Sequence, residues 1–371
     1  MKIGIITLPT RTNYGGILQA YALSKVLQNL GHKPHTIYLP IKWKLKWYKK
    51  SYIYLKRMFY KLCKNRNTII FIENKLNKEF PIVSKNTWKF ITNNIPHKIK
   101  NNYYEIKESE FDCLLVGSDQ IWRPKYISSG IECAYLNFAK EWNINKVAYA
   151  ISFGTDEWEY TPKQTAECKK LIHLFNKVSV REISAISMCK QHYDITPTHV
   201  LDPTLLLDKK DYVNLYNNNE NNYKGEILTY ILDWDKSKEE TINYIEKKFN
   251  FKSFKVNSFF EDSNTPLKDR IQPPVEQWLM GFEHAKFVIT DSFHACVFSI
   301  IFNKPFYVIG NINRGMSRFH SLLTLFGLES RLIHSYKDII IDDFINWEII
   351  NKKRELLKET SLLYLKDSLI K

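Results

Sequence analysis

The chain is predicted to be an α/β protein in which two Rossmann-like domains face each other across a cleft. Short apolar segments alternate with segments of helical periodicity along most of its 371 residues. The alternation starts afresh after Asp202-Pro203-Thr204, and turn-forming residues follow several apolar segments directly. At about 100–200 residues per domain, there is room for two domains, each with its own core.

The first 40 residues show the alternation clearly. Lys2–Leu8 is typical of a strand, Ile17–Leu30 of a helix that ends at Gly31, and His35–Leu39 of a second strand. A loop with two adjacent glycines separates the first strand from the helix. This order predicts a βαβ unit.

The same pattern continues through both halves of the chain. In the first half it predicts strands at Cys113–Val116, Val147–Ile151, Lys177–Val180 and His199–Leu201, and a helix at Tyr160–Phe175. In the second half it predicts strands at Glu226–Leu232, Phe251–Val256, Phe287–Thr290 and Phe306–Ile309, and helices at Lys236–Lys248, at Val275–Ala285 and from Phe293.

These elements divide the chain into three parts. The first Rossmann-like domain is predicted over residues 1–204 and includes a basic helical insert at about 41–100. The second is predicted over residues 205–345 and begins with a connector rich in asparagine. Residues 346–371 are predicted to form a helix that can cross back to the first domain.

The positive charge of the chain is concentrated in the insert. The formal net charge is +15, but residues 41–100 hold 16 lysines and arginines against two acids, Glu73 and Glu79. The other 311 residues carry 38 basic and 37 acidic side chains. Because the excess is local, we do not expect a nucleic acid as partner.

One part of the insert has the pattern of an amphipathic helix. Apolar residues recur every three or four positions and form one stripe, with lysines on the other sides: Leu45, Tyr48, Tyr52, Leu55, Phe59 and Leu62. Two interpretations remain open. Residues 42–66 contact an anionic membrane surface, or the helix packs on its own domain and exposes its basic face.

The apolar runs, the first residues and the cysteines of the sequence indicate a soluble, cytoplasmic protein. No apolar run reaches the roughly 20 residues of a membrane span, and the first residues lack the features of a signal peptide. The six cysteines show no metal-ligand spacing, so neither disulfides nor a metal site are expected. We expect a cytoplasmic protein, with the inner face of the membrane as a peripheral location.

A glycine-containing loop opens the first helix. It reads Asn13-Tyr14-Gly15-Gly16-Ile17-Leu18-Gln19. Paired glycines let backbone N–H groups approach an anion, and the start of a helix adds a favourable dipole. The spacing differs from that of a dinucleotide-binding loop, and no acidic residue ends the second strand. The alternative is a purely structural turn.

A polar segment follows the predicted strand Cys113–Val116. It reads Gly117-Ser118-Asp119-Gln120-Ile121-Trp122. Carboxylate and amide groups can bond sugar hydroxyls, and an indole ring can stack on a pyranose. An ordinary turn with a helix cap at Ser118 or Asp119 is the alternative.

An arginine ends the predicted strand Lys177–Val180. At this position the Arg181 guanidinium is expected to face the cleft and to bind a carboxylate or phosphate through two bonds. The alternative is an internal pair with Glu182.

A strand–helix junction reads Thr290-Asp291-Ser292-Phe293-His294. Asp291 or Ser292 can cap the helix, which is a structural role. His294 lies in the first turn, where an anion is attracted, and is a candidate for proton transfer.

A glycine-containing segment follows the strand Phe306–Ile309. It reads Asn313-Arg314-Gly315-Met316-Ser317-Arg318-Phe319-His320 and is interpreted as a loop. Two arginines on such a loop can close over a phosphate; a solvated surface loop is the alternative.

Taken together, these segments resemble the polysaccharide pyruvyl transferase family. Its members typically show an Asn-Tyr-Gly-(Gly/Ala)-x-Leu-Gln block, a Gly-Ser-Asp-Gln-x-Trp block, a Val-Arg-Glu strand end and a (Thr/Ser)-Asp-Ser-(Phe/Leu)-His junction. Here they stand in order at 13–19, 117–122, 180–182 and 290–294, with Leu201-Asp202-Pro203-Thr204 between. The resemblance covers residues 1 to about 330 and leaves out the basic insert and the last helix.

The resemblance implies a fold of the GT-B type, phosphoenolpyruvate as donor and a cell-surface or capsular glycan as acceptor. Together with the basic helix it favours a lipid-linked acceptor. Some family members have arginine two places before the histidine, where this chain has Ser292. Arg181, Arg314 or Arg318 would then have to hold the donor.

The implied chemistry forms a pyruvate ketal on two hydroxyls of a sugar. It needs an acid of near-neutral pKa, assigned to His294, an anion holder, assigned to Arg181, and an acceptor for the sugar hydroxyl, assigned to Asp119. No metal or separate cofactor is required, because arginines and helix N-termini can neutralise the departing phosphate. The residues assigned to substrate binding are Asn13, Tyr14, Gly15, Gly16, Gln19, Ser118, Gln120, Trp122, Ser152, Asp291, Ser292, Arg314, Ser317 and Arg318.

Two other functions compete with this one. A nucleotide-sugar glycosyltransferase of the same architecture would need an acidic residue on the ribose, and only Asp291 is available for that role. A non-catalytic protein that binds membrane or nucleic acid through the basic insert is the second alternative.

Overall fold

The computed structural model describes the chain except for residues 10, 64–67, 128, 217–222, 259–261, 263–264, 311–314, 341–343 and 371. The described residues form two parallel β-sheets, of seven and five strands, with helices around them. The predicted fold class, α/β with two Rossmann-like domains, is confirmed.

The first sheet belongs to the N-terminal half. Its strands are β1 Lys2–Ile6, β2 Lys33–Tyr38, β3 His97–Ile99, β4 Cys113–Asp119, β5 Asn145–Ile151, β6 Lys177–Val180 and β7 Thr198–His199. They lie in the order β3-β2-β1-β4-β5-β6-β7, and all neighbours are parallel. The direction of winding reverses between β1 and β4, which is where such sheets bind ligands.

Six helices accompany this sheet. They are α1 Tyr14–Asn29, α2 Trp47–Cys63, α3 Ile72–Val83, α4 Lys85–Asn94, α5 Pro162–Ile172 and α6 Ile183–Tyr193. The Asn13 side chain caps α1 by accepting a hydrogen bond from Gly16 N at 3.2 Å. At the other end, Gly31 has a φ of 83° and follows the helix as expected for a glycine in the left-handed region.

The second sheet is built from the C-terminal half. Its strands are β8 Ile227–Tyr230, β9 Ser253–Phe254, β10 Phe287–Thr290, β11 Phe306–Ile309 and β12 Leu332–Ile333, in the order β12-β11-β10-β8-β9. The helices are α7 Lys209–Val213, α8 Lys236–Phe249, α9 Leu267–Arg270, α10 Val275–His284, α11 Phe293–Ile301, α12 Ser317–Phe326 and α13 Trp347–Ser368. The winding reverses between β8 and β10.

The two halves share a packed core next to the cleft. Most of α1 is buried, and its Tyr14 ring stacks on Trp278 of α10 with 5.6 Å between ring centroids. The Tyr14 hydroxyl donates to Pro273 O at 2.8 Å. Gln272 reaches in the opposite direction and donates to Thr12 O at 3.0 Å. These contacts fix the position of α1 relative to α10 next to the cleft.

The last helix, α13, lies against the first sheet. Asn145, at the start of β5, donates to Ser368 O at 2.9 Å, and the Ser361 hydroxyl accepts from Leu201 N at 3.0 Å. Arg354 and Lys358 both bond Asp208. The helix thus ties the end of the second half to the first domain.

The structure contradicts one of the two interpretations of the amphipathic helix in the insert. No residue of α2 is buried, so the apolar stripe does not pack on its own domain and that interpretation is wrong. Leu45 precedes the helix, and β3 of the insert joins the first sheet. Across the described part of the chain, no helix has the length and hydropathy to cross a membrane.

Candidate active site

A cleft of about 680 Å³ opens where the two sheets reverse their winding. Its walls come from the carboxyl ends of β1 and β4 in one domain and of β8 and β10 in the other, as expected for facing Rossmann-like domains. The residues that line it are Thr12, Asn13, Asp119, Gln120, Tyr126, Tyr230, Leu232, Asp291, Ser292, Phe293, His294 and Arg318.

A buried network of charges lies beneath the cleft. The Arg181 guanidinium donates to Asp202 Oδ2 at 2.5 Å and to Asp119 Oδ1 at 3.1 Å. Its Nε lies 3.9 Å from Glu182 Oε1, and its side chain is 1% exposed. Arg181 therefore does not face the cleft as predicted, because both sides of its planar group are committed to carboxylates. It positions Asp119, which does line the cleft.

Asp119 ends β4 in an unusual backbone conformation. Its φ is 65°, in the left-handed region that side chains other than glycine rarely adopt. Such outliers persist where the surrounding structure holds them and are frequent at functional sites. Here the ion pair with Arg181 holds the carboxylate at the wall of the cleft.

His294 comes from the first turn of α11 and meets the first domain. Its Nε2 lies 3.7 Å from Asp202 Oδ2, an ion-pair distance rather than a hydrogen-bond distance. Among the described residues, this buried nitrogen has no hydrogen-bond partner. The residue lines the cleft, so His294 is a candidate for a hydrogen bond or a proton transfer with a bound ligand.

Gly15 leaves the room that His294 needs. A Cβ atom at position 15 would lie 2.2 Å from His294 Nδ1 and 2.4 Å from its Cγ, far inside any contact distance. The predicted reason for this glycine was access of an anion to the backbone. The structure shows a different one: α1 can approach the histidine only because residue 15 has no side chain.

Arg318 is the guanidinium that lines the cleft. It lies in the first turn of α12 and is almost fully buried. Both Arg318 and Arg181 lie over the ring of Phe293, with 5.5 Å from the ring centroid to Arg318 Cζ and 4.7 Å to Arg181 Cζ. Cation–π contacts on one ring allow two like charges to lie near each other.

The charges of this cluster shift one another's pKa values. Burial raises the pKa of Asp202, but the adjacent His294 and Arg181 outweigh it and hold that pKa below its usual range. The pKa of Asp119 is also held below its usual range, because Arg181, His294 and Arg318 together outweigh the effect of burial. Burial and the neighbouring Arg181 lower the pKa of Arg318 to about 10. At neutral pH both aspartates are ionised and Arg318 keeps its charge.

Glu182 differs from the two aspartates. Burial raises its pKa, and the attraction of Arg181 and the hydrogen bond with Ser152 only partly offset this. The Ser152 hydroxyl bonds the Glu182 carboxylate and also accepts from Gly154 N at 3.0 Å. Ser152, predicted to bind substrate, is fully buried and supports the turn after β5 instead.

Four further residues predicted to bind substrate are also fully buried. The Trp122 indole stacks on Tyr135 with 4.5 Å between centroids and donates to Ala134 O, so the expected stacking on a sugar is wrong. An aromatic residue after a strand can face the core or the cleft, and Trp122 packs in the core. Gln19 donates to Thr7 Oγ1 and accepts from Ser118 N, which links α1 to the end of β4. Tyr14 is held in the interdomain core.

The junction after β10 combines a structural part with a residue that lines the cleft. The Asp291 carboxylate accepts hydrogen bonds from Leu232 N, Asp233 N and the Lys238 ammonium, and it thereby joins the loops after β8 and β10. This commitment argues against a ribose-binding role. Ser292 lines the cleft.

The predicted loop Asn313–His320 contains the start of a helix. Ser317 and Arg318 belong to α12, and Gly315, with a φ of 87°, lies so close to Gly154 O that a Cβ would be 2.0 Å from it. This contact brings the segment against the first domain and aims α12 at the cleft. Arg314 lies outside the described residues, and Gly16 serves the cap of α1.

Asp202 is the main residue of this charged network that the sequence left without a predicted role. It lies at the carboxyl end of the first sheet, is fully buried, and contacts both Arg181 and His294. Its other oxygen accepts from Thr204 N and Oγ1. An acid directly after an apolar strand was the available signal. Within the described residues, no group of three or more potential metal ligands is present.

Comparison with known proteins gives a family. The model of polysaccharide pyruvyl transferases matches residues 13–313, which include the residues that line the cleft except Thr12 and Arg318. No curated protein sequence matches the chain.

Solved structures show only a distant likeness. The UDP-GlcNAc 2-epimerase of Neisseria meningitidis has 11% sequence identity and a TM-score of 0.44, over 100% of this chain and 95% of that one. MnaA of S. aureus has 13% identity and a TM-score of 0.46, over 99% and 91%. MurG of Acinetobacter baumannii has 10% identity and a TM-score of 0.41, over 97% and 93%. No substrate carries over at these values. The match over residues 13–313 does decide the family, and the chain belongs to the polysaccharide pyruvyl transferases.

Proposed function

We propose that the protein transfers the enolpyruvyl unit of phosphoenolpyruvate onto two hydroxyls of a glycan sugar and forms a pyruvate ketal. The acceptor is a capsular or cell-surface polysaccharide precursor, carried on a lipid. The observation that supports this most directly is the grouping of His294, Asp119 and Arg318 around one cleft. It combines an imidazole nitrogen, a fixed carboxylate and a guanidinium at one site.

The donor is held by Arg318 in this proposal. A guanidinium binds carboxylate or phosphate through two parallel hydrogen bonds, and Arg318 lines the cleft while Arg181 does not. It replaces the arginine that some family members carry at the position of Ser292.

His294 supplies the first proton. Transfer from its ring nitrogen to the terminal carbon of the enol leaves a positive centre on the carbon that bears the phosphate oxygen. The first sugar hydroxyl adds to this carbon and passes its proton to the His294 ring, which became neutral in the first transfer. Asp202, ionised and 3.7 Å from Nε2, stabilises the protonated ring before the transfer.

Asp119 orients the sugar. Because its pKa is held below the usual range, the carboxylate is a weak base and acts mainly as a hydrogen-bond acceptor for a hydroxyl. The second hydroxyl then attacks the same carbon, the bond to the phosphate oxygen breaks, and inorganic phosphate leaves with the bonding electrons and takes up the proton of this hydroxyl. Arg318 stabilises the departing charge.

Phosphate release from phosphoenolpyruvate, measured with and without candidate glycans, tests this proposal. Arg318→Gln removes two charge-assisted hydrogen bonds, so the KM for phosphoenolpyruvate should rise by about 100-fold. Arg331→Gln is the matched control, because Arg331 is also buried in the second domain but lies over Tyr307 away from the cleft. Equal effects of both variants would refute the role of Arg318.

A thermal-shift comparison separates the rival glycosyltransferase. Phosphoenolpyruvate should stabilise the wild-type protein and should not stabilise Arg318→Gln. Stabilisation by nucleotide sugars without any by phosphoenolpyruvate would overturn the proposal.

A further inference from the structure

The helix α2 presents an apolar surface to solvent. Its 17 residues include no buried side chain. Seven large apolar residues are between 40% and 86% exposed: Trp47, Tyr48, Tyr52, Leu55, Met58, Phe59 and Leu62. An exposed apolar face of this kind in a folded chain marks a contact with another apolar phase.

The seven residues lie on one side of the helix. At about 100° per residue they fall within an arc of about 140°, and that arc faces away from α3. The helix is attached to the rest of the insert along one edge of this arc. Arg57 makes two bonds of 2.8 Å to Glu73, and the Tyr54 ring meets Phe71 edge-on at 4.9 Å. The attachment therefore fixes which side of the helix is exposed.

Cations border the apolar side on both flanks. Lys49 and Lys56 follow it on one flank, Lys50 and Lys61 on the other, and α2 contains no acidic residue. The two acids of residues 41–100 are already paired, Glu73 with Arg57 and Glu79 with Arg270. Among the described residues of α2, Lys49, Lys50, Lys56 and Lys61 are exposed and form no salt bridge with an acid, so their charge is available for an external anionic surface.

We propose that α2 docks in the plane of an anionic lipid bilayer. The apolar side enters the interface, where tryptophan and tyrosine are favoured, and the flanking lysines contact lipid phosphates. A second copy of the chain is a poorer partner, because two such surfaces would bring their lysines together without any acid on α2 to compensate.

Docking would join the bilayer to the catalytic cleft. An apolar groove of about 770 Å³ runs between the insert and the second domain, along Trp43, Leu76, Phe80 and Val83. It reaches Thr12, which also lines the cleft. If the acceptor is lipid-linked, as the proposed function has it, this groove is the path for its chain. The docking of α2 itself does not depend on that function.

Sedimentation with vesicles tests the docking without any catalytic readout. We expect the wild-type protein to bind vesicles of equal parts phosphatidylglycerol and phosphatidylcholine and to bind pure phosphatidylcholine much less. Leu55→Glu should weaken binding by about 10-fold or more, because it removes one buried leucine side chain from the interface. Leu363→Glu is the matched control, since both leucines are 61% exposed and Leu363 lies on α13.

A second pair of variants tests the charge contribution. Lys56→Gln should weaken binding to the anionic vesicles by about fivefold at low salt, since each cation near such a surface contributes about 1 kcal/mol. Lys236→Gln, on α8 and almost fully exposed, should have no effect.

Three results would overturn the proposal. One is equal sedimentation with anionic and neutral vesicles at low salt. Another is equal behaviour of Leu55→Glu and Leu363→Glu. The third is a wild-type dimer in analytical ultracentrifugation that Leu55→Glu dissociates, which would make a second copy of the chain the partner of α2.

Discussion

Substitution of Gly15 by alanine perturbs the contact between the two domains at the histidine of the cleft. The added Cβ would lie 2.2, 2.4 and 2.7 Å from Nδ1, Cγ and Cβ of His294. Ordinary carbon contacts need about 3.5–4.0 Å, so the ring must retreat by about 1 Å. The helix backbone at residue 15 accepts alanine otherwise, because the residue lies within α1.

The two consequences of this displacement differ in size. Overpacking costs about 1–3 kcal/mol, and the better helix propensity of alanine offsets up to about 1 kcal/mol of that. The effect on catalysis is larger, since a displacement of about 1 Å at a reacting group can reduce the rate by about 100-fold. We therefore expect Gly15→Ala to fold and to lose about 100-fold in kcat for acceptor-dependent phosphate release.

Gly281→Ala provides the control. Residue 281 lies inside α10, and its Cβ would meet Val256 Cγ1 at 2.5 Å, a comparable overlap away from the cleft. Urea denaturation should give similar losses of unfolding free energy for both variants, while only Gly15→Ala loses kcat. A wild-type kcat in Gly15→Ala, or an equal loss in Gly281→Ala, would refute the reasoning.

Three more predictions concern the charges and the buried indole. Asp202→Asn leaves the buried Arg181 with one fewer carboxylate and should lower the unfolding free energy by about 3 kcal/mol in urea denaturation. Trp122→Phe loses the hydrogen bond to Ala134 O and should lower the unfolding free energy by about 1 kcal/mol. The KM for the glycan should stay unchanged, and a raised KM would support stacking of the indole on the sugar. The pKa values of Asp119 and Asp202 are lower in the folded protein than in the unfolded chain, so their stabilisation is complete above about pH 5 and should be lost as the pH falls further.

One variant serves as a control for the pH dependence of the unfolding free energy. Asp202→Asn should flatten the decline of unfolding free energy between neutral and acidic pH, because one of the two carboxylates with a lowered pKa is gone. A variant with the same slope as the wild-type protein would show that other carboxylates dominate the acid response.

Much of the secondary structure could be predicted from local patterns. The bounds of β6, β10 and β11 agree with the predicted strands, because each is a short apolar run between turn-forming residues. β12 has only two residues and leaves almost no periodic signal. The first turn of α12, Ser317–His320, lies in a segment for which the sequence predicts a loop, since Gly315 and the polar residues around it obscure the helical periodicity that follows.

The candidate site could be predicted only in part. Sequence order places Asp119 and His294 at the ends of strands, and parallel sheets bring such ends to one edge. It does not say which way a side chain turns there. Trp122 faces the core, and Arg181 lies under the cleft instead of in it. The need for Gly15 comes from a residue of the other domain, a contact that no local pattern contains.

The placement of α13 bears on how the chain folds during synthesis. The first domain receives hydrogen-bond partners from Ser361 and Ser368 of α13, which follow their partners Leu201 and Asn145 by 160 and 223 residues along the chain. A chain that ends before residue 347 would hold a nearly finished N-terminal domain with an uncovered apolar flank. We expect such nascent chains to stay protease-sensitive and to need chaperones until the final helix emerges and docks.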